Sequence, residues 1–347
     1  MADIDLMAPE ISKVVKGMDG KVILIYGCNK CGKTYNAAQA KKPLVLAFER
    51  GLGALGGVPY FYIRTWSDFR KIVKELADPR KFESLHEKYN TIVVDAIDGI
   101  ERLSEMYVCA QKGISSIREF NGGYGAWKEW ANEIDSQIRL LVGSGFTIVF
   151  LAHEGTRKFI SDDGAEYEMV YPRGDKRIVD PILNYVDITA YVRLAGLKDN
   201  GEQALSSLYL KGNLAFFAGG RFPEIRTSIP EWTWDKFEAA LKDAISRREQ
   251  AAGGEVVSNS DVLKTERAIE AKRLDSQKSI AELQTWIKET VKQNVTKEQY
   301  PEILKEAIGD PSFKVNAATE AQRELLEAIV STLREKGYEY VPAADAE

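Results

Sequence analysis

Apolar residues in the first 250 positions gather into short unbroken runs. Longer stretches with one apolar face separate them. Residues 21–26, 43–49, 60–63, 91–95 and 147–153 are such runs. Each has strand length and is apolar on both of its alternating faces, as in a parallel sheet covered by helices on both sides. Between them, residues 67–76 put Phe69, Ile72, Val73 and Leu76 on one helical face. Residues 97–111 and 126–142 also read as helices, the second with a stripe of Ile134, Ile138, Leu141 and Val142. Strands that alternate with helices predict an α/β fold.

The pattern changes after residue 153. Residues 185–194 and 205–210 read as antiparallel strands around a polar turn at 196–201, and residues 232–247 as a closing helix. Gln250-Ala251-Ala252-Gly253-Gly254 opens a linker that runs to Asp261. Beyond it only helical spacing remains, as in Ile280, Leu283, Ile287 and Val291, and in Leu325, Leu326, Ile329, Val330 and Leu333. Thr296 with Gln299 makes a capping box, and Gly337 ends the last helix. The expected organisation is a core over 1–248, a linker over 249–261 and an all-helical region over 262–347.

The 347-residue chain is 44% hydrophobic and carries a net charge of −5. That composition fits an ordinary globular protein and excludes a uniformly basic nucleic-acid coat, while leaving room for a local basic patch. No apolar run reaches membrane-spanning length, and no secretory signal opens the chain. Three cysteines, an odd number, argue against a disulfide framework and for a reducing cytoplasm.

The segment between the first run and its helix carries the chemistry. Gly27-Cys28-Asn29-Lys30-Cys31-Gly32-Lys33-Thr34 satisfies G-x-x-x-x-G-K-[ST] at every fixed position, with Tyr35 following. It lies between a buried strand and a helix, where a phosphate-cradling loop belongs. Lys33 is expected to reach the β- and γ-phosphates of ATP, and Thr34 to ligand Mg2+. Cys28 and Cys31 form a C-x-x-C, but with only Cys109, His86 and His153 to add, zinc has too few partners. Asp95 ends an apolar strand in the place of the second Mg2+-binding residue. Two acids remain as candidates for activating water, Asp98 and Glu49. His153-Glu154 fails the zinc-protease pattern because position 157 is Arg.

The order of these residues resembles the RecA-like ATPase core. That resemblance makes Glu49 the catalytic base and His153 the residue that senses the γ-phosphate and signals to a DNA-binding loop. More narrowly, the chain resembles the phage RecA-like single-strand annealing proteins, or Sak-type annealing ATPases. The matching stretches are 22–34, 45–53, 92–99, Gly123-Tyr124-Gly125-Ala126-Trp127, 150–154 and Ala218-Gly219-Gly220-Arg221-Phe222-Pro223. In this chain Asn29-Lys30-Cys31 stands where the family has a Pro/Gly-rich loop. The region after 255 matches no family.

The resemblance implies a RecA-like P-loop core with a mainly parallel sheet and antiparallel strands added at its C-terminal side. It implies a DNA-stimulated, Mg2+-dependent ATPase that acts on single-stranded DNA as a ring or filament. Lys211 and Arg221 match the basic fingers that cross to a neighbouring subunit. Two segments match the DNA-binding loops: one with Lys112, Arg118 and Tyr124, the other with Arg157, Lys158, Arg173, Lys176 and Arg177. The second also holds many acids, and residues 167–171 have the spacing to pair with 157–160 as a hairpin. The alternative reading is a nucleotide-gated scaffold or loader whose C-terminal helices bind a protein partner such as a single-strand-binding protein.

Overall fold

The computed structural model describes residues 14–196, 204–252, 256–276, 278–338 and 340. Most of the polar turn expected at 196–201 lies outside them. The strands are β1 (Val14–Lys16), β2 (Val22–Gly27), β3 (Pro43–Ala47), β4 (Tyr60–Tyr62), β5 (Thr91–Asp95) and β6 (Thr147–Ile160). They continue with β7 (Glu166–Pro172), β8 (Ile188–Arg193), β9 (Ser207–Tyr209), β10 (Gly219–Gly220), β11 (Ser228–Ile229) and β12 (Val256–Ser258). The helices of the same unit are α1 (Lys33–Ala37), α2 (Trp66–Ala77), α3 (Phe82–Lys88), α4 (Ile97–Lys112), α5 (Trp127–Val142), α6 (Lys176–Tyr185) and α7 (Trp234–Ala252). α8 (Asn259–Ser276) follows, and α9 (Ile280–Asn294), α10 (Gln299–Ile308) and α11 (Arg323–Glu335) form the C-terminal bundle.

The main sheet runs β11-β9-β8-β2-β6-β5-β3-β4. Its six strands from β8 to β4 are parallel, and β9 and β11 add antiparallel at the far edge. This is the α/β architecture that the apolar runs predict. The two faces of β2 enter different cores. Val22, Leu24 and Tyr26 pack with α2, α4 and α5, while Ile23 and Ile25 pack with α7 residues such as Phe237 and Leu241. Each such fully buried side chain contributes roughly 1.5–3 kcal/mol. A capping box between Thr65 and Asp68 starts α2, with the Asp68 amide 3.1 Å from the Thr65 hydroxyl.

β6 is longer than its apolar run. Residues 147–152 are buried in the sheet, and the strand then continues out to Ile160. There it pairs antiparallel with β7, Arg157 opposite Met169 and Ile160 opposite Glu166, so the expected hairpin forms.

Three elements depart from the sequence reading. α6 occupies part of the stretch expected to be loop, with Pro181 inside it. Proline lacks the amide that a helix interior needs, which hides the helix, but buried Ile178, Val179 and Ile182 hold it in place. α3 is a short helix that the pattern does not announce. The expected linker over 249–261 carries structure: α7 runs to Ala252, α8 starts at Asn259, and β12 pairs in parallel with β1. The chain divides into compact units at Ala271/Lys272 rather than near residue 255. The second unit has its own core, centred on Leu283, Ile287, Leu326, Ile329 and Leu333.

Candidate nucleotide site

The loop after β2 has no space to spare at its first glycine. In the sheet register Gly27 stands between His153 and Val192. A Cβ on it would lie 3.0 Å from the Val192 Cβ and 3.2 Å from the Cys31 sulfur, with the Val192 carbonyl oxygen closer still. Gly32 has φ +89°, the left-handed region open to glycine. The Lys33 ammonium lies across the loop and donates to the carbonyls of Gly27 (2.9 Å) and Cys28 (2.6 Å). Such a loop of close-packed backbone with one buried lysine suits a phosphate chain. Cys28 and Cys31 are free thiols, and burial pushes the Cys31 thiol up to about 11.

β5 brings the metal-type pair together. The Thr34 hydroxyl donates to the Asp95 carboxylate at 2.8 Å. Burial raises the Asp95 pKa, and the Thr34 hydrogen bond opposes the rise. Two hard oxygen donors beside the loop fit a small divalent cation.

A second cluster gathers residues from just past β3, from the first turn of α4 after β5, and from the middle of β6. Ligand-type atoms of Glu49, Asp98 and His153 all lie within 4.8 Å of one another. One Asp98 oxygen meets the His153 Nδ1, and the other accepts from the Arg173 Nε at 3.1 Å. With Nδ1 held by a carboxylate, the Nε2 of a neutral His153 is left as an acceptor. Glu49 is exposed, whereas Asp98 and His153 are half-buried. Glu49 and Lys33 both act on the Asp95 carboxylate, Glu49 raising its pKa and Lys33 lowering it, which links the two clusters.

A family profile described as AAA domain matches residues 19–222, more than half of the chain and all of the strands that build this site. The chain belongs to the AAA-domain family. The SPbeta prophage-derived uncharacterized protein YorG of Bacillus subtilis (strain 168) is 40% identical over 250 residues, which is 72% of this chain and 74% of that protein. The AAA domain makes this a P-loop nucleotide-binding protein of the ATPase class.

The remaining predicted residues fall at varied places on the AAA core. Arg221 ion-pairs with Asp187 (3.3 Å), whose other oxygen accepts from the Val22 amide at 2.9 Å. It therefore stands at the start of β2, ~16 Å along the strand from Gly27 at the usual rise per residue. Lys211 donates to the Pro223 carbonyl at 2.8 Å. Neither meets the P-loop of its own chain.

Several loop cations have partners. Arg157 bonds Asp180 at 2.9 Å and lies 4.2 Å from the Tyr171 ring. Arg177 pairs with Asp175 (3.0 Å) and stacks 4.4 Å from the Trp127 ring. Lys112 sits 4.8 Å from the Phe120 ring, and Lys158 is 3.9 Å from Glu166. Arg118, Lys176 and Tyr124 are exposed, Tyr124 by 84%. The Arg177–Trp127 stack and the Asp175 amide donating to Glu101 at 3.1 Å tie the start of α6 to α5 and α4, the helices on either side of the first predicted loop.

Two placements are not readable from sequence. Asp98, by position a candidate base, binds His153 and Arg173. Arg193 follows Val192, the neighbour of Gly27, so it ends the strand beside the P-loop. The one sequence signal for Arg193 is a cation at a strand end, which does not say which strand lies alongside.

Proposed function

We propose that this protein is a Mg2+-dependent ATPase that binds single-stranded DNA and promotes annealing or recombination. In this reading it works as a ring or filament with ATP sites between subunits. Lys33 contacts the β- and γ-phosphates, Thr34 and Asp95 hold the Mg2+, and Glu49 activates water. His153 senses the terminal phosphate, and Lys211 and Arg221 reach a neighbour's site. The observation that carries the reading is the convergence of Lys33, Thr34, Glu49, Asp95 and His153 beside the loop, on adjacent parallel strands and the turns that follow them. β6 then leads directly from His153 into an outlying hairpin.

Exposed Arg118, Tyr124, Lys158 and Lys176 support DNA binding, since cations neutralise phosphates and an aromatic ring stacks on bases. The prophage origin of YorG supports a phage role and a place in the host cytoplasm. No helix among the described residues is long and apolar enough to cross a membrane.

The test is phosphate release by wild-type protein and Glu49→Gln, with and without oligo-dT, alongside electron micrographs of each state. Hydrolysis that rises with DNA, and a Glu49→Gln protein that binds ATP without cleaving it, are the expected results. A Glu49→Gln rate equal to wild type would refute the assignment of the base. DNA that changes neither rate nor assembly would refute the DNA role. A second reading, a nucleotide-gated loader, draws on the separate core of residues 272–347. Deleting that unit should then abolish partner binding and leave hydrolysis intact.

A further inference from the structure

We infer that Arg173 is a phosphate ligand of this chain's own nucleotide site, held in reserve by Asp98, rather than a nucleic-acid contact. The inference rests on the ATPase reading above. Arg173 is the first residue after β7, so it lies at the root of the hairpin and not on its arm. Its amide donates to the His153 carbonyl at 2.8 Å, which fixes the residue beside the sheet. Its guanidinium then meets the same carboxylate that binds the His153 ring, with Nη2 3.5 Å from the His153 Nδ1.

The other arginines of this segment are bound elsewhere. Arg157 is neutralised by Asp180 and Arg177 by Asp175, neither of which belongs to the Glu49–Asp98–His153 cluster. Among the described cations of the segment, Arg173 alone pairs with a carboxylate of that cluster. Asp98 takes up its Nε, and Nη1 has no partner among the described residues. The side chain is 56% exposed. A planar fork with free donors, next to the site and open to solvent, is suited to a phosphate oxygen.

Charge balance supplies the reason for an exchange. Glu49 and Asp98 stand together, and Arg173 offsets part of their charge. A terminal phosphate beside them adds negative charge, which the same guanidinium can bind more strongly than it binds one carboxylate that is already shared. Arg173 turns from Asp98 to the phosphate, and Asp98 keeps His153 oriented. Because the Arg173 backbone is bonded to β6 at His153, the turn is felt at the root of the β6–β7 hairpin. Triphosphate and diphosphate states would thus differ at the hairpin through one residue.

The experiment measures equilibrium binding of a non-hydrolysable ATP analogue and of ADP to wild type, Arg173→Gln, Arg173→Lys and Asp98→Asn. Arg173→Gln should weaken analogue binding about 10- to 100-fold, as for loss of a charge-assisted hydrogen bond, and leave ADP binding within about twofold. Arg173→Lys should recover part of the loss. Asp98→Asn, which frees the guanidinium, should favour the analogue over ADP more than wild type does. Hydrogen exchange in the 154–172 hairpin should respond to the analogue in wild type and not in Arg173→Gln.

Equal loss of both nucleotides in Arg173→Gln would mean a structural role and overturn the inference. Unchanged nucleotide binding with weakened single-stranded DNA binding would return Arg173 to the nucleic-acid surface. Wild-type protein that binds neither nucleotide would overturn the ATPase reading itself, and this inference with it.

Discussion

Gly99 stands in the first turn of α4, directly against the strand end that carries Glu49. A Cβ at this position would lie 2.6 Å from the Phe48 Cγ and 2.7 Å from Cδ1, with the Phe48 Cβ nearer still. Carbon atoms rest at about 3.5–4.0 Å, so the shortfall is about 1 Å. Rotating the ring cannot relieve it, because the nearest atom is the Phe48 Cβ, which no rotamer moves. Phe48 is 3% exposed, packs 5.5 Å from the Phe69 ring, and donates its amide to Asp95 at 2.7 Å. Gly99→Ala must therefore push apart α4 and the end of β3. Overpacking of this kind costs about 1–3 kcal/mol. In the proposed reading Glu49 activates water, so the displacement should reach the reacting group, where an error of about 1 Å lowers rate by about 100-fold. Denaturant unfolding and phosphate release measure the two effects. Gly53→Ala is the control: nothing lies within 4 Å of its Cβ, and its stability should stay within about 0.5 kcal/mol of wild type. If Gly99→Ala behaves like that control in both assays, the close approach does not hold Glu49 in place and the reasoning fails.

Two further outcomes follow from burial. The thiolate is the reactive form of cysteine, and burial holds the Cys31 thiol up at about 11, so the native protein should alkylate slowly there at pH 8 and faster as pH rises toward that value. A free-thiol rate at pH 8 would contradict the buried loop geometry. Leu326 is fully buried in the second unit, and Leu326→Ala should cost about 2–5 kcal/mol. Hydrogen exchange in α9 and α11 should then accelerate, whereas unchanged protection would remove Leu326 from that core.

Local pattern along the chain sets the strand-and-helix alternation, because an apolar run or an amphipathic period is a property of a short window. It also sets the P-loop, where spacing along eight consecutive residues is the whole signal. Glu49, Asp95 and His153 were legible as strand-ending polar residues, and β6–β7 as a hairpin from its alternation. Tertiary structure alone decided which strands lie side by side, because pairing joins residues far apart in the chain. That order puts Asp98 between His153 and Arg173, 75 positions from the latter. It also pairs β1 with β12 across a segment that composition marks as linker, and it keeps α6 helical through Pro181. A cation carries no mark in sequence of the carboxylate it will meet. Arg173 therefore read as one of several loop cations, and only packing set it beside Asp98 while its neighbours Arg157 and Arg177 found acids elsewhere.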